Sequence, residues 1–190
     1  MKLSEKRKEE IFRDELVRHL NKVFSGDEDI EVKAKANLWY RLQIKDDGTR
    51  EPSDEQPMRG RNAFQQDIVI FEKKTNVPRV VIETKIGGCS THDAITYSTK
   101  AHLIKQVYPF LRYILLIGNS DRITYKLIKH GEFFDAIIAT LVDSSNKIAE
   151  SDLKALVEVL NSEIRTSHEL GEIIGEKRVI KTFWKRTNVS

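Results

Sequence analysis

The sequence predicts an α/β domain with a central mixed β-sheet flanked by helices, and three observations predict it. Two β-branched runs, Asp67 to Phe71 and Arg79 to Ile82, flank the polar turn EKKTNVP, the pattern of an antiparallel strand pair. A helically spaced stretch from Thr91 to Val107 then leads into YILLI, Tyr113 to Ile117, a continuous apolar run expected of a strand covered on both faces. Amphipathic stripes near both ends of the chain provide helices to cover a sheet.

Taken in order, Ser4 to Phe24 places Ile11, Leu16, Leu20 and Val23 at helical spacing among charges, and Ser25-Gly26 supplies a stop. From Ile30 to Ile44, Val32, Ala34, Ala36, Leu38 and Tyr40 alternate with polar neighbours, which predicts a strand or a bent pair of strands. Lys45 to Asn62 gathers Pro, Gly, Asp and charge without periodicity and reads as a long exposed loop, of a length often used for function. After Gly87-Gly88 the helix from Thr91 stops before Pro109, and a right-handed crossover through it sets YILLI parallel to RVVI. Ile123 to Ile128 reads as a less buried strand and Phe133 to Leu141 as a helix. Leu153, Leu156, Val157, Leu160 and Ile164 form one apolar stripe over Asp152 to Ile164, behind a Ser151 cap.

Composition bounds what such a domain does. A chain of 190 residues suits one domain spanning 1–190, and 32% charged with 39% apolar residues is an ordinary folded composition. The balance of 32 basic against 29 acidic residues permits a polyanionic partner but does not demand one, so local clustering must carry that argument. A single cysteine, Cys89, excludes an internal disulfide and a multi-thiolate zinc site, and no nucleophile-activating arrangement is legible around it. No apolar run spans a bilayer and the charged start lacks a secretory core, so a cytoplasmic protein is expected.

The residues that carry chemistry lie on the strand pair. Asp67 opens one strand and Glu83 lies at the far end of its hairpin partner, so both carboxylates fall at one end of the sheet. Glu83 and Lys85 flank Thr84, and side chains two apart on a strand share a face. Two hard oxygen ligands with open positions suit Mg2+, with Mn2+ as a substitute, because such an ion keeps waters and completes its shell with phosphate oxygens. Lys85 would orient or activate water and stabilise charge developing on phosphorus.

Asp67, then fifteen residues, then Glu83-Thr84-Lys85 resembles the PD-(D/E)XK nuclease superfamily, whose signature is an acid, a hairpin, and an acid and a lysine one residue apart. The wording DIVIF followed by VPRVVIETK is similar to the N-terminal nuclease domain of type I restriction subunits and to several small restriction endonucleases. The likeness covers about Gln65 to Ile86; Gln66 stands where the family often has proline, and Gln106 with Tyr108 does not reproduce the family's Gln-three-residues-Tyr pattern. The resemblance implies a restriction endonuclease-like core, hydrolysis of DNA phosphodiesters and an added acid from the first helix. Glu9 is the candidate, sharing a face with Phe12, Leu16 and Leu20, with Glu10 and Glu15 as alternatives.

Outlying cations have two readings. Arg59 and Arg61 in the loop before Asp67 would meet a phosphate or base edge, or are simply solvated. Lys100, with His92 and His102, lies on the helix after the active-site strand, where it would contact substrate or belong to a polar face. Lys177, Arg178, Lys181, Lys185 and Arg186 interleave with Phe183 and Trp184, as for tracking a phosphate backbone, or the aromatics anchor the tail while the cations stay wet. The expectation is a restriction-type endonuclease acting on DNA as a homodimer, since cutting both strands needs two sites. Its rivals are a structure-selective nuclease resembling a Holliday junction resolvase, and a catalytically silent DNA-binding subunit. Whether a methyltransferase or helicase accompanies it is not legible in the sequence.

Overall fold

The structure, a computed structural model, describes residues 4–52 and 56–175. It is α/β, with a five-stranded mixed sheet between helices. Helix α1 (Glu5–Val23) starts from Ser4, whose hydroxyl accepts the Arg7 N–H, and ends in a short 3-10 turn over Phe24–Gly26. Strand β1 (Ile30–Ala34) and β2 (Asn37–Trp39) are the expected bent pair, broken at Lys35, which takes φ 53. A small hairpin joins β3 (Gln43–Ile44), at the end of the stretch read as strand, to β4 (Arg50–Glu51), inside the stretch read as a loop, before β5 (Ala63–Gln65) pairs back onto β2.

The hairpin anticipated from the β-branched runs is β6 (Ile68–Glu72) and β7 (Val77–Ile86), antiparallel with Ile68 opposite Ile82. Strand β7 runs past Glu83 to Ile86, four residues further than RVVI alone marks. Gly87, at φ 82, turns the chain out of β7, and its N–H donates to Gly118 O. Helix α2 (Thr91–Val107) then starts with a full capping box between Ser90 and Asp93, worth about 1 kcal/mol. As expected, β8 (Arg112–Gly118) lies parallel to β7.

Two expectations fail next. Ile123 to Ile128 is not a strand; Tyr125–His130 forms helix α3, with Leu127 buried and Ile123, Tyr125 and Ile128 exposed. Phe133 to Leu141 is not a helix; Ala136–Thr140 forms β9, parallel to β8. The two corrections share one cause. Parallel neighbours need a crossover between them, and the short α3 serves as that crossover, leaving AIIAT to pair in the sheet. Apolar residues at 133, 134, 137, 138 and 141 fit helical spacing, but pairing with the fully buried β8 outweighs that local pattern.

Helix α4 (Glu150–Gly175) is longer than the stripe that announced it. Ser151 does not cap it: the helix already includes Glu150, the Leu153 N–H donates to Ala149 O, and the Ser151 hydroxyl meets the Asp152 carboxylate. No helix of the described residues is long and apolar enough to cross a membrane.

The sheet order is β1-β6-β7-β8-β9. Alternation along β6, β7 and β8 sends Ile68, Ile70, Val80, Ile82, Ile114 and Leu116 to a core shared with Phe12, Leu16, Leu20, Leu156 and Leu160 of α1 and α4. Val69, Val81, Tyr113, Leu115 and Ile117 face the second core, with Ala94, Ala101 and Ile104 of α2. Each buried aliphatic contributes about 1.5–3 kcal/mol relative to exposure, so both faces of these strands are held firmly. That rigidity positions whatever stands at the ends of β6 and β7.

Candidate active site

Asp67 precedes β6 by one residue and Glu83 follows Ile82 by one, so the register brings the two acids opposite each other at one end of the hairpin. Asp67 is fixed by its neighbour strand: Thr84 donates to Oδ2 from its backbone N–H at 3.0 Å and from its hydroxyl at 2.8 Å. Asp67 Oδ1 faces Arg13 of α1 at 4.0 Å, and the side chain stays partly open to solvent.

Glu83 points to the α2 face and is buried, its side chain 7% exposed. Lys100 of α2 donates to both its oxygens at 3.1 Å. The Tyr113 hydroxyl lies 3.2 Å from Glu83 Oε2 and 2.8 Å from Gln66 Oε1. Gln66 Nε2 donates to Phe64 O, which sets its amide so that Oε1 accepts, and the shorter contact claims the single hydroxyl proton. Burial pushes the Glu83 carboxyl above its usual range, Lys100 opposes that shift, and the neighbouring Asp67 charge adds to it. Burial likewise raises the Tyr113 phenol well above its ordinary value, with the Glu83 charge reinforcing it.

Lys85, two residues beyond Glu83 on the same face, donates to Glu9 Oε1 at 2.9 Å. Burial works against its charge, but the Glu9 bond and the negative charges of Glu9 and Asp93 outweigh it and hold Lys85 protonated above an ordinary lysine. Of the three first-helix acids, Glu9 reaches the site through Lys85. Glu10 pairs with Arg7, and Glu15 with Arg18.

The two carboxylates are of the chemistry a divalent ion takes, though Lys100 occupies both oxygens of Glu83. Both are hard oxygen donors on neighbouring strands, and the Asp67 charge that helps raise the Glu83 carboxyl is one that a cation would offset. Among the described residues no group of three His, Cys, Asp or Glu side chains gathers to hold a metal. A pair of this kind suits an ion that takes its remaining ligands from water and phosphate.

The structure brings Asp67, Glu83, Lys85 and Glu9 to one end of the sheet, together with neighbours that the sequence did not single out. Lys100, read as a substrate contact or a polar-face cation, is instead turned inward against Glu83 with 15% exposure. Gln66, Thr84, Tyr113 and Arg13 were missed; strand parity, which puts Tyr113 and Glu83 on one face once β8 is parallel to β7, was the available signal for Tyr113. Arg59 and Arg61 are exposed beside the β2–β5 pair, Arg59 donating to Gln65 Oε1 and Arg61 O accepting from the Tyr40 hydroxyl. Cys89 is half-buried, and burial pushes its thiol up to about 11. Lys177, Arg178, Lys181, Phe183, Trp184, Lys185 and Arg186 lie outside the described residues. No family model, curated protein or solved structure matches the chain.

Proposed function

We propose that the protein is a metal-dependent nuclease of restriction endonuclease-like architecture that hydrolyses DNA phosphodiester bonds. The observation that carries the reading is the pairing of Asp67 and Glu83 across two adjacent strands, with a protonated Lys85 two residues on. Asp67 and Glu83 would hold Mg2+ or Mn2+, which when bound polarises a phosphoryl oxygen and favours hydroxide at neutral pH.

The chain's own groups divide the remaining work. Lys85, fully charged, is suited to donate hydrogen bonds to a phosphate oxygen and to offset charge there, rather than to remove a proton from water. Glu9 keeps the ammonium aimed across the end of the sheet. Thr84 holds Asp67 in one orientation, leaving Oδ1 as its freer oxygen. Lys100, donating to both of its oxygens, braces Glu83 inside the protein, so that it meets the site in one geometry. We take the enzyme to be a cytoplasmic restriction-type endonuclease that acts as a homodimer.

The test is cleavage of supercoiled plasmid, defined duplexes and four-way junctions in Mg2+ or Mn2+, comparing the parent with Asp67→Ala and Lys85→Ala. Metal-dependent cutting that falls by about two to three orders of magnitude in Lys85→Ala, and is lost in Asp67→Ala, supports the reading. Discrete duplex fragments mark restriction-type specificity, and preferential junction cutting marks a resolvase-like enzyme. A folded parent that binds DNA but cuts nothing in either metal overturns the catalytic reading in favour of a binding subunit.

A further inference from the structure

The β2–β5 pair is a small ribbon set apart from the main sheet, and its second strand runs directly into the active site: Gln65 ends β5, Gln66 braces Tyr113, and Asp67 follows. Around this ribbon stand three exposed arginines, Arg41, Arg59 and Arg61. Among the described residues none has an ion-pair partner, whereas Arg7, Arg13, Arg18, Arg79 and Arg112 all do. Of the acids of the adjoining β3–β4 hairpin, Glu51 is paired with Lys45 and Asp47 accepts from Thr49, and among the described residues neither these nor Asp46 forms an ion pair with the three arginines.

One aromatic pair holds two of them, and the third is tied to β5. Tyr40 stacks on Phe64 at 4.2 Å between ring centroids, and Arg41 lies over the Tyr40 ring at 5.9 Å. The Tyr40 hydroxyl donates to Arg61 O at 3.0 Å, and the Arg59 backbone bridges to Ala63 at the start of β5. The Arg41 and Arg59 guanidinium groups and the Arg61 backbone are therefore tied to the ribbon rather than strewn along a loop.

From this we infer that the β2–β5 ribbon is a duplex-DNA contact arm, in which Arg41, Arg59 and Arg61 meet backbone phosphates beside the Asp67–Glu83 site. Planar guanidinium forks match phosphate oxygens, and a two-stranded ribbon is narrow enough to lie along a duplex groove. Single-stranded nucleic acid is the poorer fit. Such ligands use bare aromatic faces for base stacking, and here Tyr40 and Phe64 cover each other while Arg41 covers Tyr40. The inference rests on the nuclease reading for its choice of polyanion.

The test is fluorescence anisotropy with a labelled duplex oligonucleotide and with one of its single strands, in EDTA, over a range of salt. The parent should bind the duplex more tightly than the strand. In Arg41→Ala/Arg59→Ala/Arg61→Ala the plot of log affinity against log salt should become shallower by about 0.9 for each guanidinium lost. A control that removes Lys22, Lys74 and Lys154, cations on other elements, should keep the parent slope, and circular dichroism verifies that each variant is folded. An unchanged slope in the arginine variant, an equal change in the lysine control, or tighter binding to the single strand overturns the inference. Because the assay involves no cutting, its outcome is separable from the nuclease reading: cleavage with an unaltered slope sinks the arm alone, and arginine-dependent binding without cleavage sinks the catalysis alone.

Discussion

Lys100→Met should destabilise the protein by an amount that grows with pH. Lys100 donates to both oxygens of Glu83, and the two side chains are only 15% and 7% exposed. Removing one member of a buried ion pair costs about 3–5 kcal/mol if the remaining charge has to stay ionised. Glu83 has an escape, because burial already holds its carboxyl above the ordinary value of 4.5 and Lys100 is the chief influence pulling it down. Without Lys100 the carboxyl rises further and takes a proton. The folded state then binds a proton that the unfolded state releases above about pH 4.5, so stability from this group is greatest in acid and falls by about 1.4 kcal/mol per pH unit until the folded carboxyl ionises. The variant should be close to the parent in acid and about 3 kcal/mol worse near pH 8. Urea denaturation in EDTA at both pH values measures this, with Glu83→Gln/Lys100→Met as the reference in which the pH dependence of the gap disappears. A gap of equal size at both pH values would refute the reasoning and reduce Lys100 to a packing element.

Three further outcomes follow from the same geometry. A Cβ added at Gly118 meets Ile86 Cδ1 at 2.8 Å and Phe12 Cζ at 2.9 Å, so Gly118→Ala should cost about 1–3 kcal/mol in urea denaturation, with Phe12→Leu recovering part of the loss. With its thiol near 11, Cys89 should react with iodoacetamide at about pH 8 roughly two orders of magnitude more slowly than an unperturbed thiol, and a rate equal to that of free cysteine would contradict its half-buried placement. Asp135, 7% exposed, accepts from the Tyr113 backbone N–H and pairs with Lys105 and Arg112; Asp135→Asn should lower stability by about 3 kcal/mol while leaving metal-dependent cleavage intact in the surviving folded protein, and loss of cleavage without loss of stability would count against its structural role.

Part of this arrangement was legible in the chain because period-two and period-3.6 patterns report burial directly. DIVIF and VPRVVI could bury β-branched residues only as strands, the turn between them is too short for anything but a hairpin, and the side chains of Glu83 and Lys85 share a face by the geometry of any strand. The pattern thus sufficed to bring Asp67, Glu83 and Lys85 to one end of the sheet. The Ser4-led first helix and the Ser90-Asp93 start of α2 were likewise local matters, settled by capping within a few residues.

Other features depended on partners far along the chain. AIIAT became a strand because β8 presented an edge to pair with, and ITYKLI became mostly helix because a crossover had to fit between β8 and β9. Glu9, Glu10 and Glu15 were equivalent as sequence; only the packing of α1 across β7 put Glu9 against Lys85 and left the others to Arg7 and Arg18. Lys100 was one polar residue of a helix until α2 docked and turned it toward a buried carboxylate seventeen residues earlier. Local periodicity encodes which side of an element is apolar. Which charge meets which, and hence how the acids of the site are desolvated and braced, is decided by contacts between distant residues that no local pattern carries.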